Sequence, residues 1–437
     1  MQVAFLFITL FVLIFMGVPI GFAIGGASIA TIYLYTNLDM IITAQYSFSG
    51  INTLSLVAIP FFMLAGGIMS SGGIAKRIVN FAQSLVGLVT GGLGAVAVIA
   101  CAFFGALSGS GMATTSAVGS MMIPEMSRKG YDRAYAATLV CFGGVIGPII
   151  PPSIAFITYG VITNTNISDL FKAGILPGIT IAIFLVIANY FLCKKYGYGV
   201  VTAEEKAAAA GMTLGQAMLH RLALVGHSIK DGFWALLTPV IILGGIYAGI
   251  FTPTEAACVS VVYSLIISMF VYKEMKWKDI YHTFVDTAVL NGITSFLLSY
   301  STVFSTYLSF EQIPAQVFDL IMDVTSSKVA FILLVNVIML IIGCFVDIIP
   351  AMIIMVPMLL PAALEYGFDP VHFGIIMCVN LAIGLCSPPY GCNLFVGAAV
   401  AKIKMEQMMK YIVPLFIVIC LALMVIVFVP HLSLLFL

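Results

Sequence analysis

Ten long stretches of this chain are built almost wholly of apolar side chains: 3–20, 23–36, 52–70, 135–160, 172–193, 231–250, 255–272, 284–308, 371–398 and 411–430. A helix that crosses a bilayer needs about 20 such residues. In lipid every backbone polar group must be satisfied internally, which leaves helices and closed barrels. A barrel would show alternating segments of about ten residues, and these runs are continuous. Charge settles what remains. Only 8% of the 437 residues are charged, 18 basic against 18 acidic, where a soluble domain carries about 25%. A soluble enzyme, a disordered chain and a nucleic-acid binder are excluded, the last because no basic stripe exists to meet phosphates. The expected class is an all-α polytopic membrane protein with the lipid bilayer as its solvent.

The nine cysteines fall mostly inside apolar runs, with no CxxC pair and no clustering with the five histidines. They read as small membrane-core residues, neither a disulfide framework nor a metal centre. Met1 to Phe15 has no basic start and no small-residue cleavage site, so it reads as a retained first helix.

Two further apolar stretches, 93–127 and 329–365, are interrupted in the middle. The first breaks at Ser108-Gly109-Ser110-Gly111. The second breaks at Asp347, followed by Pro350 and Pro357. Each has the length of a re-entrant hairpin. With an external N-terminus and both stretches re-entrant, all of the 18 basic residues except Lys172 and Lys328 fall on the cytoplasmic side, as the positive-inside rule requires. Both termini are then periplasmic. Reading either hairpin as a full span inverts every later segment. One sizeable polar linker, 196–230, is expected to form a short cytoplasmic surface helix.

This linker divides two halves, 1–195 and 231–437, that repeat. A single gapless offset of 237 carries Pro124 to Pro361, Gly130 to Gly367, Asp132 to Asp369, Cys141 to Cys378, Gly147 to Gly384, Pro151-Pro152 to Pro388-Pro389, Gly160 to Gly397 and Pro177 to Pro414. Glycine and proline fix backbone conformation, so their agreement is structural. Each half holds five spans and one hairpin. Five is odd, so the second half is expected upside down relative to the first. Inverted-topology repeats with helices broken at matching places are the pattern of secondary transporters with a site at mid-membrane.

Four short segments carry the chemistry. Ser108-Gly109-Ser110-Gly111 and the hydroxyls that follow offer carbonyl and hydroxyl oxygens at an unwound tip, suited to sodium; a helix-packing face is the alternative. Gly143-Gly144 to Gly147-Pro148 and Pro151-Pro152-Ser153 stops a helix in mid-span, and the restarting helix presents a partly positive N-terminus to an anion. The matching segments are Asp347 with Pro350, and Gly384 to Ser387-Pro388-Pro389 followed by Asn393. Under the offset Asp347 replaces Ser110. An aspartate this deep marks an ion or proton site, unless it is an interfacial cap. Thr252-Pro253-Thr254-Glu255 reads as a capping box, a structural feature. The hydroxyls of Ser301, Thr302 and Ser305 read equally as substrate contacts or helix packing. No nucleophile–base–orienter set and no phosphate-binding loop is present, so the chain is not read as an enzyme.

These residues resemble the large membrane subunit of TRAP (tripartite ATP-independent periplasmic) transporters. The resemblance rests on Ile250-Phe251-Thr252-Pro253-Thr254-Glu255-Ala256-Ala257, Gly147-Pro148 with Pro151-Pro152-Ser153-Ile154, Tyr159-Gly160-Val161-Ile162-Thr163, Gly367-Phe368-Asp369-Pro370 with His372-Phe373-Gly374, and Pro388-Pro389-Tyr390-Gly391 with Leu394-Phe395-Val396-Gly397. It covers about residues 1 to 435. Asp347 is followed by Ile348-Ile349-Pro350 where the family often has Pro-Thr, and Tyr390 stands where Val is common. The resemblance implies sodium symport of an organic acid, delivered by a periplasmic binding protein, with a small four-helix membrane subunit alongside. It implies an elevator movement of hairpins and broken helices against a scaffold in a bacterial or archaeal cytoplasmic (inner) membrane. Both partners are expected as separate chains. One sodium site would then involve Ser108, Ser110, Gly111 and the loop Gly144, Gly147, Pro148 and Pro151. The second would involve Asp347, Pro350 and the loop Gly384, Ser387 and Pro388. Substrate would lie near Ser153, Asn393 and the Thr302–Ser305 hydroxyls. Sodium is the coupling ion, with no other cofactor expected. The alternatives are a stand-alone ion-coupled permease or Na+/H+ antiporter of inverted-repeat design, and a channel or scaffold subunit.

Overall fold

The computed structural model describes residues 2–36, 39–86, 89–199, 214–324, 327–388 and 391–437. Among them no strand occurs. Among the described residues eight helices are long and apolar enough to cross a membrane: Leu54–Ser71, Ile167–Tyr196, Ala223–Tyr247, Pro253–Val271, Trp277–Phe310, Lys328–Phe345, Ile348–Glu365 and Met405–Phe428. Shorter apolar helices complete the set, among them Gln2–Phe15 and Ile20–Tyr35. The expected span 3–20 stops at Phe15 because Gly17 turns into the left-handed region and Pro19 follows. Of the expected surface helix over 196–230, residues 200–213 lie outside the described residues, and from Leu214 the chain is in one helix that runs on to Tyr247.

The two interrupted stretches each form a pair of helices with a two-residue joint. Gly92–Ser108 and Gly111–Arg128 meet at Gly109-Ser110. Gly109 sits at φ 60°, a conformation that favours glycine, and donates its N–H to the Gly105 carbonyl. Lys328–Phe345 and Ile348–Glu365 meet at the extended residues Val346 and Asp347. The continuous runs 135–160 and 371–398 are each split. Arg133–Gly144 and Ile154–Thr163 flank a break over 145–153. Pro370–Gly384 and Cys392–Ala401 flank a break over 385–391, of which Pro389 and Tyr390 lie outside the described residues. Prolines 148, 151 and 152 cannot donate to a helical ladder, and tighter turn bonds, such as Gly147 N–H to Gly144 O at 3.0 Å, take its place.

Helix bounds fall 237 residues apart. Gly111–Arg128 and Ile348–Glu365 coincide under that shift, and Asp132 and Asp369 both cap the helix that follows. Two amphipathic helices not anticipated from the sequence, Ile74–Leu85 and Ile313–Val324, obey it to within two residues. Packing exchanges the halves. The second arm of the first hairpin lies on Cys392–Ala401, and the second arm of the second hairpin lies on Ile154–Thr163.

Most of the interior is one apolar cluster that embraces both hairpins and both broken helices. A smaller cluster joins Leu6, Leu10, Ile24 and Ala27 of the first two helices to Phe304, Tyr307 and Leu308. The outside is apolar too. Ile179, Ile183, Ile187 and Phe191 are exposed at four-residue intervals on one helix, and Val413, Ile417, Leu421 and Val425 on another. Soluble monomers do not carry stripes of that extent; lipid covers them.

Candidate functional site: two hairpin tips against two helix breaks

The first tip is a hydroxyl cluster. Ser110 starts its helix as N-cap, accepting the Ala113 N–H at 3.4 Å. The Ser108 and Thr114 hydroxyls are 3.0 Å apart, and Thr114 donates to the Ser110 carbonyl at 2.8 Å. This tip lies against the first break so closely that only glycine fits. A methyl group on Gly147 would stand 2.7 Å from the Ser110 carbonyl oxygen, and one on Gly109 would stand 2.6 Å from that of Pro152. A methyl group on Gly111 would be 3.2 Å from both the Gly144 carbonyl and the amide nitrogen of Asn393. Asn393 belongs to the other half of the chain. The Thr115 hydroxyl and the Asn393 side-chain oxygen, both buried here, have no hydrogen-bond partner among the described residues, an arrangement that costs free energy unless something else meets them.

The second tip has a different character. Asp347 is its N-cap, and Oδ1 accepts the Ile348 N–H at 2.8 Å. It is the one carboxylate at either tip. Pro350 is buried one turn further on. Gly384 meets Gly343 of the hairpin's first arm, where a methyl group would come within 2.6 Å of Cα. The carbonyls freed by this break are held by thiol and backbone. Cys344 Sγ donates to Pro388 O at 2.9 Å and Ser387 O at 3.3 Å. Ser387 also accepts from Gly391 N–H and gives its hydroxyl to Ile383 O.

Ser153 caps Ile154–Thr163 by accepting from Phe156 N–H, and its hydroxyl donates to Pro148 O at 2.5 Å. Pro151 is buried in the same loop. Thus Ser108, Ser110, Gly111, Gly144, Gly147 and Asn393 are brought together, and Ser153 orders the loop beside them. Thr302 is not among them. It packs on Gly50 of the helix Ile41–Ile51 and gives its hydroxyl to Leu298 O. Ser305 is on the same long helix and accepts from Ser309 through its carbonyl. Thr252 and Glu255 form a capping box: Glu255 Oε2 accepts the Thr252 N–H at 2.8 Å, and Thr252 Oγ1 accepts the Glu255 N–H at 3.3 Å.

Sequence reasoning had Thr115 only as one of the hydroxyls after the first interruption, and it took the thiols for core. Cys141, Cys378 and Cys386 all donate to carbonyls at or beside the breaks. The signal was present, since Cys141 and Cys378 are one of the pairs related by 237.

Many membrane helices, two of them broken in mid-course and each met by a hairpin, define a multi-pass membrane protein organised around a buried polar centre. Residues 7–432 match the family described as "Tripartite ATP-independent periplasmic transporter, DctM component". The chain is 38% identical over its whole length to the isethionate TRAP transporter permease protein DctMQ of Oleidesulfovibrio alaskensis, of which it spans 66%. It is 36% identical to the sialic acid TRAP transporter large permease protein SiaM of Vibrio cholerae, over 97% of this chain and 95% of that one. It is also 36% identical to the 2,3-diketo-L-gulonate TRAP transporter large permease protein YiaN of Escherichia coli, over 96% and 95%. The chain belongs to the DctM component family of TRAP transporters, a family of transport permeases and not of enzymes.

Proposed function

We propose that this chain is the large permease of a sodium-coupled importer for a small organic acid. The observation that carries the reading is the meeting of the first tip, the first break and Asn393 around neutral oxygens, with one carboxylate at the second tip. Hard monovalent cations are held by such oxygens, and discontinuous helices supply them. The relatives' names fit the cargo: isethionate, sialic acid and 2,3-diketo-L-gulonate are all organic anions. An anion would sit at the start of Ile154–Thr163, where Ser153 caps the partly positive helix end.

In this reading the halves are inverted repeats, supported by the 237-residue shift and the exchanged packing. The hairpins and broken helices move as an elevator against the helices of the smaller apolar cluster. A periplasmic binding protein hands over the acid, and a small membrane subunit flanks the scaffold in the cytoplasmic membrane. The test is thermal unfolding of the solubilised protein with sodium titrated against potassium at fixed ionic strength. A sodium-specific rise in midpoint, weakened by Asp347→Asn and Ser110→Ala, is expected, because a ligand of the folded state alone stabilises it. Equal curves in both salts, with an Asp347-dependent response to pH in their place, would replace sodium by a proton.

A further inference from the structure

The two breaks are tied to each other by side chains that cross between the halves. Cys378, in the second half, donates its thiol to Pro148 O in the first break at 3.3 Å. Cys141, its counterpart 237 residues earlier, donates to Asn393 O beside the second break at 3.1 Å. The Cys141 carbonyl, near the cut end of Arg133–Gly144, in turn receives the Cys386 thiol at 3.2 Å and the Asn393 amide at 3.4 Å. All four side chains are fully buried.

Single S–H···O contacts are weak. Here the donors Cys141 and Cys378 stand 237 residues apart, and two of the three thiols end on carbonyls in the first break or in the last turn before it, Pro148 O and Cys141 O, where a helix leaves carbonyls without ladder partners. A shift of loop 145–153 would break the Cys378 bond, and a shift of the start of Cys392–Ala401 the Cys141 bond. Asn393 also reaches the first tip, because a methyl group on Gly111 would stand 3.2 Å from its amide nitrogen.

We infer that Cys141, Cys378 and Cys386, with Asn393, bridge the two helix breaks, so that an ion bound at one hairpin raises affinity for an ion at the other. The three cysteines are positioning residues, not ion ligands. The inference rests on the sodium reading above. Coupling of this kind is reciprocal, and a factor of about 5 to 150 in affinity is typical.

The experiment is a double-mutant cycle on the full chain. The half-saturating sodium concentration is read from the unfolding midpoint, with potassium balancing ionic strength. Asp347→Asn and Ser110→Ala each disable one tip, and each is made in wild type and in the pair Cys141→Ala/Cys378→Ala. In wild type, disabling either tip should raise the half-saturating sodium of the remaining response at least about fivefold. In the alanine pair most of that shift should be lost, only the Cys386 and Asn393 bonds to the Cys141 carbonyl remaining. Cys141→Ser/Cys378→Ser keeps a donor and should keep most of the coupling. Should the alanine pair not fold, Cys378→Ala alone cuts one tie and is expected to at least halve the coupling factor. Equal shifts in wild type and cysteine variants would overturn the bridge while leaving the sodium reading intact. A wild type with no sodium response would overturn both.

Discussion

The two hairpins occupy equivalent places in the chain and solve the same problem with different chemistry. The first turns on a left-handed glycine and presents neutral hydroxyls, tied to one another and to the Ser110 carbonyl. The second turns on two extended residues and presents a carboxylate, with Cys344 supporting the break behind it. Each is pressed against its break through glycine, Gly105 on Gly147 and Gly343 on Gly384. Backbone geometry is thus shared, and the side-chain chemistry at the tips has diverged. Close approach is common to both halves, whereas charge is present at one tip only.

The largest effects should come from what the hairpins share. Gly147→Ala and Gly384→Ala each drive a methyl group into backbone that has nowhere to go, at 2.7 Å and within 2.6 Å respectively. Overpacking of this kind costs about 1–3 kcal/mol, and both variants should lose uptake in proteoliposomes and unfold earlier. A tolerant Gly384 beside an intolerant Gly147 would break the equivalence. Next comes what they do not share. Asp347→Asn should reduce uptake by about two orders of magnitude, on the order of 3 kcal/mol. Ser110→Ala, removing one neutral oxygen, should cost about tenfold, or 1.4 kcal/mol. Equal losses would mean that charge at the second tip is incidental. Ser153→Ala removes a cap and the bond to Pro148 O, and should lower stability by about 1 kcal/mol. Its sodium response should weaken with it. The smallest effects belong outside the tips. Thr252→Ala should cost about 1 kcal/mol of stability as a lost cap, with half-saturating sodium unchanged. Thr302→Ala should leave both sodium and substrate affinity within about twofold, less than 0.5 kcal/mol. A larger substrate effect would bring Thr302 into the site.

Much of this was legible in the sequence, for a physical reason. Proline and glycine dictate backbone wherever they stand, so the interruptions at Ser108–Gly111 and Asp347 and the breaks at Pro148–Pro152 could be placed without coordinates. The capping box at Thr252 is local for the same reason. The helices Ile74–Leu85 and Ile313–Val324 were missed because they are short and carry charge, such as Lys76, Arg77 and Asp319, below what a search for spans detects. Thr302 was a candidate by composition, and only its contact with Gly50 shows what it packs against. The thiol ties were beyond reach, because Cys141 and Asn393 are 252 residues apart in sequence. Residue type alone marked those cysteines as ordinary core.

The exchanged packing has a consequence for how the protein is made. The second arm of the first hairpin has its neighbour in Cys392–Ala401, which leaves the ribosome last but for the final helices. From about residue 128 until residue 401 has been inserted, that arm stands in the bilayer with one flank uncovered. A chain interrupted anywhere in that interval exposes a hydroxyl-bearing helix, with Thr114, Thr115, Ser116 and Ser120, to lipid.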